Sequence, residues 1–97
     1  MKFIWDTKKN QKNIRKHKID FRDAHLVFQH PMLVNIDNRE DYGEERLIGI
    51  GLLEMRVVII VFTEIDEETI RIISLRKALR NERKQYEKAY SNRFECY

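Results

Sequence analysis

The run Val57-Val58-Ile59-Ile60-Val61-Phe62 is continuously apolar, and all but its last residue are β-branched. Such residues are stiff at χ1 and pack well on a pleated surface. Side chains in a strand alternate between two faces, so an unbroken apolar run buries both. The chain must therefore build a sheet and cover it on each side. At 97 residues it has enough mass for one hydrophobic core, which predicts a single domain over 1–97. Apolar residues make up 42% and charged residues 36%, so the core is small and the surface strongly ionic.

The other elements arrange themselves around that run. Residues 2–5 read as a short strand. Asp6 is a good N-cap for a lysine-rich helix over Thr7–Lys16, closed by Asn13 and Lys16-His17. Asp20 caps a second helix over Phe21–Phe28, stopped by His30-Pro31 because the residue before proline avoids the α region. Met32–Ile36 is a strand, and Asn38–Glu45 is a polar loop. Arg46–Leu53 is a strand whose two glycines mark a bend or a close backbone approach. Arg56–Thr63, an acidic turn at Ile65–Glu68, and a strand over Thr69–Ser74 complete the β region. Ser74 is placed to cap a last helix running to about Tyr90, with Leu75, Leu79 and Tyr86 on its apolar stripe. The expected fold class is α+β: an antiparallel four- to five-stranded sheet with two N-terminal helices and a C-terminal helix.

Charge narrows the function. Residues 1–30 carry 8 Lys/Arg against 3 Asp/Glu, residues 31–70 carry 3 against 10, and residues 71–97 carry 8 against 3. A basic–acidic–basic chain can fold both basic ends onto one face, which suits a polyanionic or acidic partner, or its acidic middle can neutralise them. No stretch approaches the length of a membrane span, and the N-terminus lacks the apolar run of a signal peptide. The single Cys96 has no partner, which favours a reducing, cytoplasmic setting over a disulfide scaffold.

Arg71, Arg76, Lys77 and Arg80 crowd the expected strand–helix boundary. Guanidinium groups hold phosphate bidentately and stay charged. With Ser74 opening the helix, free N–H groups at its N-terminus add a second reason to bind an anion. Antiparallel pairing through the acidic turn is expected to bring Glu64 near the start of the strand that holds Arg71. Glu64 is then either a general base or the salt-bridge partner of Arg71. In the loop of Arg39, Asp41, Tyr42, Glu44, Glu45 and Arg46, the strand-heading Arg46 is the best functional candidate, and the acids are expected to face solvent or a basic partner. His17, His25 and His30 form no metal-ligand set, so no metal is expected. His17 follows the basic first helix and is a candidate for substrate contact. Glycine motifs for nucleotide binding and hydrolase elbows are absent, and no cofactor is expected.

With these residues in view, the chain resembles the BrnT family of toxins from bacterial type II toxin–antitoxin systems. The resemblance is carried by Phe3-Ile4-Trp5-Asp6 with Lys9, Asn13 and Lys16-His17, then Phe21-Arg22-Asp23-Ala24 and Phe28. It continues through Asp41-Tyr42-Gly43-Glu44-Glu45-Arg46, Ile48-Gly49-Ile50-Gly51, Val61-Phe62-Thr63-Glu64 and Arg71-Ile72-Ile73-Ser74-Leu75-Arg76-Lys77-Ala78. Two departures are Leu75, where the family usually has alanine, and Lys18, where a glycine commonly follows the histidine.

The resemblance implies a RelE-like fold and an RNA-cleaving toxin that blocks translation. It also implies neutralisation by a BrnA antitoxin with a ribbon-helix-helix DNA-binding domain, so that operator DNA is met only through the complex. Metal-independent cleavage needs the 2′-OH activated and the charge developing on the phosphate stabilised. The expected assignment puts Arg71, Arg76 and Arg80 on the phosphate, with Glu64 as base or orienter. Arg46, Lys77 and His17 would bind substrate. The alternative is a non-catalytic nucleic-acid-binding or protein-interaction module using the same basic surface.

Overall fold

The computed structural model describes residues 1–91; Cys96 lies outside the described residues. Asp6 caps α1 (Thr7–His17) by accepting from the Lys9 backbone N–H at 3.1 Å. Lys18 ends it in the left-handed conformation, φ 63°. That geometry is natural to glycine and strained for lysine, which explains why a glycine suits this position. Asp20 caps as expected, accepting from Arg22 N–H at 2.9 Å. The expected helix over 21–28 is instead a 3₁₀ turn at Phe21–Asp23 followed by one α-turn, α2 (Ala24–Val27).

Five strands form one mixed sheet, in the order β1 (Lys2–Trp5), β5 (Thr69–Lys77), β4 (Arg56–Asp66), β3 (Leu47–Leu53) and β2 (Leu33–Ile36). The sheet is not wholly antiparallel, because β1 runs parallel to β5, with Phe3 opposite Ile70 and Trp5 opposite Ile72. The β2–β5 meander leaves one side of β5 open, and β1 fills part of it after α1 has carried the chain away. The antiparallel pairs β2–β3, β3–β4 and β4–β5 are as expected.

The last helix begins later than expected. β5 continues through Leu75, Arg76 and Lys77, which pair with Ile60, Ile59 and Val58. α3 (Arg80–Ala89) starts only at Arg80, so Ser74 is a strand residue and caps nothing. Strand length is governed here by pairing: β4 has eleven residues, and its N-terminal half needs a partner.

Both faces of β4 are covered, and Val57–Phe62 are all buried. On one face, Ile19, Phe21, Ala24 and Val27 pack against Val58, Ile60, Phe62, Ile72 and Leu75. Gly49 and Gly51 face this side, and a Cβ on either would collide with Met32 or Val27. On the other face α3 lays the fully buried Tyr86 on Leu52 and Val57, and the Tyr86 hydroxyl donates to the Pro31 carbonyl at 2.9 Å. Among the described residues, no helix is long and apolar enough to cross a membrane.

Candidate functional site

A bulge in β5 decides where the arginines point. Phe62 pairs with Ile72 but Val61 pairs with Ser74, which leaves Ile73 as the extra residue. Strict alternation over five positions would send Arg71 and Arg76 to opposite faces. The inserted residue resets the alternation. Arg71, Ser74 and Arg76 then pair with Thr63, Val61 and Ile59, all on the α3 side of the sheet.

Each arginine has an acidic partner. Arg76 forms a two-pronged ion pair with Glu82, with both N–O distances at 2.9 Å. Glu82 also accepts from the Leu79 backbone N–H at 2.7 Å, so one carboxylate bridges Arg76 and the start of α3. The Arg76 guanidinium, aided by that N–H, holds the Glu82 carboxyl below the usual range. The expected phosphate site at this helix N-terminus is therefore corrected: Arg76 and Lys77 are strand residues, and Arg76 is engaged by Glu82. Arg80 is exposed in the first turn of α3.

Arg71 pairs with Glu44, not with Glu64. Its terminal nitrogen contacts both Glu44 oxygens, and Arg46 Nε reaches one of them at 3.2 Å. The Arg46 guanidinium lies 4.0 Å above the centre of the Tyr42 ring. Arg71 first, and Arg46 after it, hold the Glu44 carboxyl below its ordinary value. The loop acid, expected to face solvent or a basic partner, thus bridges two arginines of its own chain. Glu64 pairs across to Ile70, on the opposite face from Arg71. There it rims an apolar cleft of about 400 Å³ with Phe28, Met32, Leu47 and Phe62, which overturns the expected Glu64–Arg71 contact.

The cations of the two basic ends meet at the sheet edge. Beyond Trp5 there is no β1 to pair with β5, and α1 takes its place. The Asn13 amide donates to Leu75 O at 2.8 Å and accepts from Leu75 N–H at 3.2 Å. It also donates to Ile19 O at 3.0 Å. This seats the end of α1 beside β5. Lys16, His17, Arg76, Lys77 and Leu79 consequently line one open cavity of about 390 Å³. Burial lowers the His17 pKa below its ordinary 6.5, and the neighbouring charges of Lys16 and Arg76 lower it further. The imidazole is therefore neutral at pH 7 and able to accept a proton.

Of the residues singled out in the sequence, the structure brings together His17, Arg76 and Lys77 at the edge, and Arg71 and Arg46 on the sheet face. Glu64 and Arg80 stand apart from both groups. Sequence reading missed the parts played by Asn13, Glu44 and Glu82. Asn13 and Glu44 meet partners 62 and 27 positions away, beyond any local signal. Glu82 had a local signal, three residues after its cap, but at a helix start placed elsewhere.

A family model described as the ribonuclease toxin BrnT of type II toxin–antitoxin systems matches residues 5–82. No curated protein matches the chain. Among solved structures, the chain is similar to the crystal structure of the Brucella abortus ribonuclease toxin BrnT. The two are 30% identical with a TM-score of 0.63, over 82% of this chain and 99% of that one. The same α+β scaffold, matched along most of its length in sequence and in space, makes this chain a member of the BrnT ribonuclease toxin family.

Proposed function

We propose that this chain is a one-domain cytoplasmic endoribonuclease that cleaves RNA without a metal and so inhibits translation. The observation that carries the reading is the edge cavity, where a neutral His17 faces Arg76, Lys77 and Lys16. Among the described residues its lining holds one proton acceptor and three cations; Glu82, which pairs with Arg76, is not part of it. Cations repel a divalent metal and attract a phosphodiester, so the lining favours a route that uses the RNA's own 2′-OH.

In that route His17 takes the 2′-OH proton and the 2′-oxygen attacks phosphorus. The bond from phosphorus to the 5′-oxygen breaks, and the 5′-oxygen takes up a proton. The products are a 2′,3′-cyclic phosphate and a 5′-hydroxyl. Lys77 stabilises the charge that grows on the phosphoryl oxygens, together with Arg76, for whose guanidinium the phosphate competes with Glu82. Arg71 and Arg46 extend the cationic surface along the sheet and hold neighbouring phosphates. Arg80 adds an outer, solvated cation. Glu64 has no part in this scheme, because it faces the other side of the sheet.

Family membership supports a protein antitoxin as partner. We assign that partner to the BrnA type, a ribbon-helix-helix protein that covers the cationic face and carries the complex to operator DNA. The test is incubation of purified protein with total RNA in the presence of EDTA. Cleavage to fragments ending in cyclic phosphate is expected, with loss of about 10²–10³-fold in Arg76→Ala. Binding without cleavage would instead mark a nucleic-acid-binding module.

A further inference from the structure

Glu44 sits between two guanidinium groups. Its two oxygens both meet Arg71, and Arg46 holds one of them from the side. A phosphodiester offers the same arrangement: two acceptor oxygens sharing one negative charge. Two guanidinium groups converging on one small anion form a fork suited to either ligand. The occupant is also replaceable. The Glu44 side chain is 28% exposed and that of Arg71 is 36% exposed, so the pair lies at the surface. Surface ion pairs hold weakly, because water and salt compete with them.

The supports around the fork are firmer than its occupant. Arg71 stands on β5 between the buried Ile70 and Ile72. Arg46 is stacked on Tyr42, and its carbonyl accepts from Asp37 N–H at 2.7 Å. The loop that carries these groups is tied at its start by the bidentate Asp37–Arg39 pair, at 2.7 Å for each bond. Glu44 itself follows Gly43, whose φ of 72° is readily varied. Withdrawal of Glu44 would leave two oriented arginines with no counter-ion.

We propose that Arg46 and Arg71 form an RNA phosphate subsite that Glu44 keeps closed. Glu44 is a built-in competitor: an incoming phosphodiester displaces its carboxylate and inherits its contacts. The inference rests on the reading of this chain as an RNA-binding toxin. It assigns to Glu44 a role opposite to catalysis, setting how strongly RNA must bind before the sheet face opens.

The test measures binding of a 2′-O-methyl RNA oligonucleotide, which cannot be cleaved, across a salt series. Glu44→Gln keeps the shape and removes the charge. It is expected to bind about twofold to fivefold tighter than wild type at low salt, with the gain shrinking as salt screens the Glu44–Arg71 pair. The gain must vanish when Glu44→Gln is compared with its parent in an Arg71→Ala background. Unchanged or weaker binding by Glu44→Gln overturns the inference. So does a gain that persists without Arg71, since that is only a change in overall charge. If Glu44→Gln fails to fold, Glu44→Asp reads the same quantity, because its shorter arm withdraws the carboxylate from Arg71. Wild-type protein that binds this probe but leaves ordinary RNA intact would defeat the cleavage mechanism and leave the Glu44 subsite standing.

Discussion

The side-chain amide of Asn13 pairs with the backbone of Leu75 as a neighbouring strand would, donating to its carbonyl at 2.8 Å and accepting from its N–H at 3.2 Å. It does so where β1 has ended and β5 has not, so one side chain substitutes for the missing strand. The contact is buried, with Asn13 only 7% exposed. It also fixes the distance between α1, which carries His17, and β5, which carries Arg76.

Replacing Asn13 with alanine leaves the Leu75 N–H and carbonyl and the Ile19 carbonyl short of partners inside the protein. Unsatisfied buried groups cost about 1–3 kcal/mol each, partly recovered where water enters. A loss of about 2–3 kcal/mol is expected, which in a domain of this size lowers Tm by roughly 10 °C or more. Thermal unfolding followed by circular dichroism checks it. Asn13→Asp keeps the acceptor, loses both donated bonds and is expected to be no better. A Tm within a degree or two of wild type would show that the edge of β5 needs no partner.

The Asp37 carboxyl is held down to about 2 from an ordinary 3.8, first by its hydrogen bond from the Arg39 side chain. A depressed carboxyl pKa stabilises the fold at pH above the unfolded value and loses that contribution as pH falls through the folded one. The window is therefore about pH 4 down to 2. Arg39 is 64% exposed, so solvent screening discounts the effect to about 1–2 kcal/mol. Urea unfolding is expected to show Arg39→Gln less stable than wild type by that amount at pH 7, with the difference closing near pH 2. A difference that does not depend on pH would assign the loss to packing instead.

His17 acts as a base only when neutral. Its pKa lies below the ordinary 6.5, so cleavage is expected to hold steady at pH 7 and decline as pH falls through that lowered value. His17→Ala is expected to reduce kcat by about 10²–10⁴ and to abolish the acid limb of the pH–rate profile. A variant that is slow but retains the acid limb would move the base to another group.

The two core-facing glycines differ in what surrounds them. A Cβ on Gly51 would lie 2.7 Å from Val27 Cγ1, a stiff branched group, whereas on Gly49 it would first meet the Met32 sulfur. Methionine yields by rotating and valine cannot. Gly51→Ala is expected to cost about 2–3 kcal/mol and Gly49→Ala less, within the usual range for overpacking. Equal losses in denaturant melts would refute the distinction.

Much of the sheet was legible along the chain because its signals are local. The β-branched run of β4, the caps at Asp6 and Asp20, and the glycines of β3 each express a backbone preference of neighbouring residues. The end of β5 was readable in principle. Folding the chain back about the acidic turn so that Val57 keeps a partner carries β5 to Ala78, whose N–H donates to Val57 O at 3.0 Å. Helical spacing in Leu75, Leu79 and Tyr86 pointed the other way, and long-range pairing prevailed over a weak local stripe.

By itself, then, the sequence determined a two-faced sheet, a basic surface and a family. Tertiary structure alone decided which charges meet. The bulge at Ile73 turns Arg71 and Arg76 to one face, and the separate register shift between Glu64 and Asp66 pairs Glu64 with Ile70 on the other. The parallel pairing of β1 stops short of Leu75, so that Asn13 and with it His17 come to the edge. Glu44 reaches Arg71 across 27 positions. Periodicity reports how a segment bends and which side it buries, through torsions that are properties of each residue. Register and ion pairing depend on how separate segments finally pack, a free-energy balance over the whole core that no local window contains.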